Sequence, residues 1–159
     1  STIALINLVQ NLSYVIGLVL VITSVFKFSQ LGSNPQMSPK IPLAMFFSGI
    51  GIFALTSTIN IVQETMAMGG DGPGNILVPI GNKGLSETTA SAITGVLYFI
   101  RLLGYVAFIR GWLFLNQAGQ GKEGVLARGL THLFGGVAAI NIQTTASILA
   151  KSLGWNLNL

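Results

Sequence analysis

Charge is missing from long stretches of this chain, and that absence constrains the fold more than any motif does. Residues 1–26, 41–63 and 129–150 contain no Asp, Glu, Lys or Arg. Each run is long enough to cross a hydrocarbon core as a helix, which takes about 20 residues. A fourth apolar stretch, residues 88–115, is interrupted only by Arg101 and Arg110. Four hydrophobic helices are therefore expected, the third being the least ordinary. Charged residues make up 8% of the chain and hydrophobic residues 51%. A soluble domain carries about 25% charged residues, so too little charge is present to coat a surface facing water. The expected fold class is all-α, set in lipid or in a lipid-like assembly.

The same composition is a poor kit for catalysis. The absence of cysteine excludes disulfides, thiolate chemistry and Cys-ligated metals. His132 is the only histidine, and the four carboxylates, Glu64, Asp71, Glu87 and Glu123, all fall in or near expected loops. No nucleophile–His–acid set, phosphate-binding glycine loop or metal-ligand spacing appears. The expectation is a protein that is not an enzyme and has no catalytic or metal-binding residues.

Self-similarity is the most informative further feature. A shift of 87 residues aligns positions 11–63 with 98–150 without a gap and gives ten identities. They include Gly17 on Gly104, Gln30 on Gln117, Gly32 on Gly119, Phe47 on Phe134, Gly49 on Gly136 and Thr58 on Thr145. Apolar composition does not fix loop length, so a constant offset across two helices and their loop points to duplication. Each copy reads as a helical hairpin, with helices at about 4–28, 40–66, 88–117 and 126–153. The expected division is a first hairpin at 1–67, a Gly/Pro linker at 68–87 and a second hairpin at 88–159. Two spans per copy place both hairpins the same way up, a parallel internal repeat.

Loop charge predicts topology. Lys27, Lys40, Arg110, Lys122 and Arg128 surround the two hairpin loops against Glu123 alone, whereas the linker region holds Glu64, Asp71 and Glu87 against Lys83. Basic loops stay cytoplasmic during insertion, so the termini and linker are expected on the periplasmic side. Ser1 at the start is compatible either with a removed initiator or with a cleaved signal peptide.

Small residues inside membrane helices let backbones approach closely. Gly17, Gly49, Gly51, Gly104, Gly111, Gly135 and Gly136 are the expected helix-packing positions. Arg101 is the costly residue, because a charge near mid-span must face protein, water or a headgroup. It reads either as a pore-lining or lipid-clamping side chain or as one that snorkels to the interface. Asn60, Asn141, Gln143, Thr144 and Thr145 are expected to join helices by hydrogen bonds. Tyr98, Trp112 and Trp155 fall where interfacial aromatic belts form.

The run from Phe108 to Trp112 and the pattern His132, Gly135, Gly136, Ala139, Asn141 (H-x-x-G-G-x-x-A-x-N) resemble the small hydrophobic membrane proteins of type IVB (Dot/Icm-like) secretion and IncI-type plasmid conjugation systems. The match covers about a quarter of the chain, and the first copy lacks the His and Asn. Each half is also similar to a conjugative pilin, with two hydrophobic helices, a basic cytoplasmic loop and periplasmic ends, although ordinary pilins carry one hairpin. The resemblance implies a polymerising, pilin-like structural subunit of such an apparatus, or else a non-filamentous inner-membrane channel or scaffold component of it. It further implies an inner-membrane location with assembly into an extracellular pilus. The implied partners are copies of itself, other secretion components, and transported single-stranded DNA held without sequence specificity. No cofactor is expected beyond bound phospholipid, with Lys27, Lys40, Arg101, Arg110, Lys122 and Arg128 as the lipid- or lumen-facing cations.

Overall fold

The computed structural model describes residues 2–34, 36–65 and 86–154, apart from the side chains at 2, 3, 63, 87, 147 and 150. Residues 68–85 of the expected linker, with Asp71 and Lys83, lie outside the described residues, as does Trp155. Six helices make up the described fold: α1 Thr2–Leu31, α2 Lys40–Phe53, α3 Leu55–Thr65, α4 Glu87–Gly119, α5 Val125–Ile140 and α6 Ile142–Ser152. No strand occurs among the described residues.

The helix ends follow from local chemistry. The α2 start tolerates Pro42 because first-turn N–H groups have no intrahelical partner to lose. The α4 start is capped by Ser86, whose hydroxyl oxygen accepts from the Thr89 backbone N–H at 3.4 Å. Between α4 and α5 the chain turns through Gly121 and Gly124, with φ of +88° and +72°, values that glycine adopts without steric cost.

Among the described residues, only α1 and α4, of 30 and 33 residues, are by themselves long and apolar enough to cross a membrane. The continuous helices expected at 40–66 and 126–153 are both broken, so the picture of four uninterrupted spans is corrected. The break falls on Ala54 (φ −90°, ψ 42°) in the first case and on Asn141 (φ −102°, ψ 42°) in the second. After Ala54 the chain turns by 94° into α3. At Asn141 the cause is local: the Thr145 hydroxyl donates to the carbonyls of Ala138 (2.7 Å) and Asn141 (3.0 Å), and Asn141 Nδ2 donates to Val137 O (3.1 Å). Such side chains offer backbone groups an alternative to the helical ladder. At Ala54 the Thr58 hydroxyl likewise donates to the Ala54 carbonyl (2.9 Å), but no side-chain amide joins it. There the break coincides with Phe53 backbone pressed on Gly17 of α1, and Leu55 and Ile59 then turn into the core.

α1 pairs with α2, and α4 with α5, in antiparallel hairpins, while α2 lies along α4 and joins the two. The core gathers Ile6, Leu55, Ile59, Tyr105, Phe108, Leu133, Val137 and Ile140 from α1, α3, α4 and α5. Gly119, at the end of α4, sits on Ala44 and Lys40 of α2. Both hairpin loops are therefore at one end of the molecule.

Candidate functional site

Three features converge on function: the seams within each hairpin, a polar layer at the helix breaks, and the basic end of the bundle. In the first seam, a methyl group placed on Gly17 would fall 2.7 Å from the Gly49 carbonyl oxygen. One placed on Gly49 would meet Val21 N at 2.9 Å and Gly17 O at 3.0 Å. In the second, a methyl on Gly104 would lie 2.8 Å from both Gly136 O and Ile140 N. One on Gly136 would lie 2.8 Å from Phe108 N and 2.9 Å from Gly104 O. Each residue of the first seam (Gly17, Val21, Gly49, Phe53) stands 87 positions before its counterpart (Gly104, Phe108, Gly136, Ile140). The helix breaks at 54 and 141 share that spacing.

The other glycines divide. Gly111 faces Leu133 within the second hairpin, and Gly51 takes the indole of Trp112 across the hairpin–hairpin contact. Gly135 has nothing within 4 Å of where its Cβ would be, so it faces out of the chain. Trp112 is consequently a spacer between hairpins rather than a belt residue, with its indole N–H buried and without a partner among the described residues.

Arg101 stands apart from the other cations. It is 8% exposed, and its Nη2 donates to Gln143 Oε1 at 3.2 Å, while its guanidinium lies 5.8 Å from the Tyr98 ring centre. It is thus held by its own chain at the point where α5 gives way to α6. Tyr105, one turn on, is buried near Gln10 of α1 but forms no hydrogen bond of ordinary geometry. Asn141 is buried beside this layer, and Asn60 places a buried oxygen in α3.

At the opposite end, Lys40, Arg110, Lys122 and Arg128 are exposed and Lys27 is half-buried. Arg110 lies 5.5 Å from the Phe114 ring centre, Phe114 packs edge-on against His132 at 5.1 Å, and His132 Nδ1 is 2.8 Å from the Arg128 carbonyl oxygen. Lys122 reaches the Gln117 side chain at 3.2 Å. The Arg110–Phe114–His132 ladder stiffens the second hairpin beneath its loop. Among the described residues no three His, Cys, Asp or Glu side chains come together.

No family model, curated protein or solved structure matches the chain. The site must therefore be read from its own chemistry. It presents close-packed backbone seams, a sequestered guanidinium and a positive end.

The Gln143 partner of Arg101 was open to sequence reasoning only as one of several polar residues, because the two are separated by 42 positions. The Gly51–Trp112 contact carried no signal at all in the offset alignment, which pairs each residue with its equivalent and not with its neighbour in space.

Proposed function

We propose that this chain is a non-catalytic structural subunit of a conjugation or type IVB secretion apparatus, a fused pair of pilin-like hairpins that polymerises. The observation that carries this reading is the matched pair of glycine seams, each with a helix break five residues beyond its second glycine (Gly49 to Ala54, Gly136 to Asn141). Duplication of one hairpin accounts for both without requiring the same geometry to arise twice. The broad apolar exterior, including Leu18, Val19, Ile22, Leu103 and Val106, suits a subunit surrounded by lipid and by copies of itself. In this reading the protein enters the bacterial inner membrane with its loops cytoplasmic, then assembles with other components of the machine. An anionic phospholipid copurifies, its phosphate near Arg110 and the loop lysines. Any transported single-stranded DNA is met without sequence preference and in a salt-sensitive way.

One observation favours a second reading, a channel or scaffold component that stays in the inner membrane: the 94° turn after Phe53 departs from the two continuous helices of an ordinary pilin. Mass spectrometry of sheared extracellular filaments separates the two. Recovery of the chain in filaments is the expected result; retention in the inner membrane with none in filaments would leave the scaffold reading. Lipid extraction from the purified assembly tests the phospholipid, and an intact, lipid-free assembly would reduce the basic loops to a topology signal.

A further inference from the structure

We infer that α3 lies flat in the headgroup layer of the membrane face opposite the basic loops, and that the outer parts of α1 and α4 project beyond the hydrocarbon. Four independent observations place that face at the level of the helix breaks.

The first is length. From Gly119 back to Arg101 α4 rises about 27 Å, and α5 from Val125 to Ile140 about 23 Å, at about 1.5 Å per residue. Those spans approach the thickness of a hydrocarbon core, about 30 Å. The second is direction. α3 leaves α2 at 94°, so it gains almost no depth over its 11 residues. A flat helix carrying exposed Ser57, Glu64 and Thr65 is unsuited to mid-bilayer, where polar groups lack water.

The third is the aromatic and polar residues found at this level. Tyr14 packs edge-on against Phe53, the last residue of α2, at 5.5 Å. Tyr98 lies against Arg101, and Tyr105 follows one turn inward. Tyr14 and Tyr98 thus fall near one level, where interfacial belts form, while Tyr105 is buried in the core. Arg101 and Gln143 share it. The fourth is the change in character of α4 beyond Tyr98. Its outer turns carry Thr88, Thr89, Ser91 and Thr94, of which Thr88, Thr89 and Ser91 are exposed beside exposed Ile93 and Val96, whereas residues 102–109 bear no hydroxyl other than that of Tyr105. The amphipathic form of α3, with Leu55 and Ile59 buried and Ser57 exposed, fits a helix lying in the interface plane.

The chain has no native cysteine, so single nitroxide labels can report depth directly. The full chain, with cysteine at one of Ser57, Ile61, Thr65, Val19 or Val106, is labelled and reconstituted in phosphatidylethanolamine–phosphatidylglycerol liposomes. All five sites are exposed, so the labels leave the core intact, and circular dichroism of each variant verifies its helicity. Depth is read from the ratio of collision rates with oxygen and with a nickel chelate. The expected result is a common, shallow depth for Ser57, Ile61 and Thr65, with Val19 and Val106 deep. A straight continuation of α2 would instead spread Ser57 to Thr65 over about 12 Å. Such a gradient, or Ser57 as deep as Val19, would overturn the inference. The measurement is made on dispersed protein in liposomes, so it stands or falls separately from polymerisation.

Discussion

Gly136→Ala isolates what the close crossing contributes. Its added methyl would sit 2.8 Å from Phe108 N, 2.9 Å from Gly104 O and 3.0 Å from Phe108 Cα. All three atoms belong to backbone in the middle of α4, so no side-chain rotation relieves the overlap. Ordinary carbon contacts lie at about 3.5–4.0 Å, so the helices must separate by roughly 0.5–1 Å along the seam. A gap of that size forfeits a quarter to a half of each affected dispersion contact. Overpacking of this kind costs about 1–3 kcal/mol. Alanine is about 1 kcal/mol better than glycine in a helix, which offsets part of the loss. The control is next door: Gly135→Ala gains the same propensity and meets nothing within 4 Å. Reversible unfolding in monodisperse micelles should therefore show Gly135→Ala neutral or stabilising and Gly136→Ala destabilised relative to it by about 1–3 kcal/mol. Equal midpoints for the two variants would refute the seam argument.

Trp112→Ala should lower the unfolding free energy further, by about 3–5 kcal/mol, because the indole fills the space over Gly51 between the hairpins; a loss below 1 kcal/mol would mean the hairpins do not depend on this contact. Gln143→Leu removes the acceptor of Arg101 Nη2 and should cost about 1–3 kcal/mol, measured in the same micelle assay. Thr145→Val, which deprives the Ala138 and Asn141 carbonyls of the hydroxyl they share, should cost about 1 kcal/mol, and an unchanged midpoint would remove the local explanation for the break at Asn141.

Much of this architecture is visible in the sequence because the physical signals are long-range in hydropathy and short-range in loops. Charge-free runs mark where helix can be buried in lipid, and Gly, Pro, Asn and Gln mark the turns at 32–39 and 120–124. The 87-residue offset brought Gly17, Gly49, Gly104 and Gly136 forward together, and all four occupy close backbone approaches. What escaped was the break in each second helix. Ala54 is itself the best type of helix former, and the polar run Thr56, Ser57, Thr58 just beyond it reads equally as helix-to-helix bonding, so the turn that α1 and the core impose there was not legible. At Asn141 a local signal existed, since Asn141 and Thr145 can both capture backbone carbonyls, but it reads equally as helix-to-helix bonding. Arg101 shows the same limit. Its cost in lipid was plain, whereas its enclosure by Gln143 and Tyr98 depends on the break that brings the start of α6 to that level of α4.

Placing the membrane face at the breaks has a consequence for α1, whose outer turns are less polar than those of α4. Leu5 and Leu8 are 49% and 52% exposed and stand beyond Tyr14, outside the hydrocarbon. Burying a leucine fully is worth about 1.5–3 kcal/mol, so two half-exposed ones leave roughly 1.5–3 kcal/mol unsatisfied together. Sinking the molecule until lipid covered them would draw Glu64 and the hydroxyls of α3 into the bilayer. A single carboxylate at mid-bilayer costs about 2.5–3.5 kcal/mol on insertion scales, and the α3 polar groups add to it, so the shallow position wins. Under the proposed polymerisation, the outer turns of α1 would take apolar cover from another copy of the chain. Leu5→Ser combined with Leu8→Ser should therefore leave membrane insertion unchanged and weaken self-association about tenfold, equivalent to about 1.4 kcal/mol. Sedimentation of the detergent-solubilised protein across a concentration series measures this. Unaltered association would show that the outer turns of α1 are not the contact, and a failure to insert would show that lipid, rather than protein, covers them.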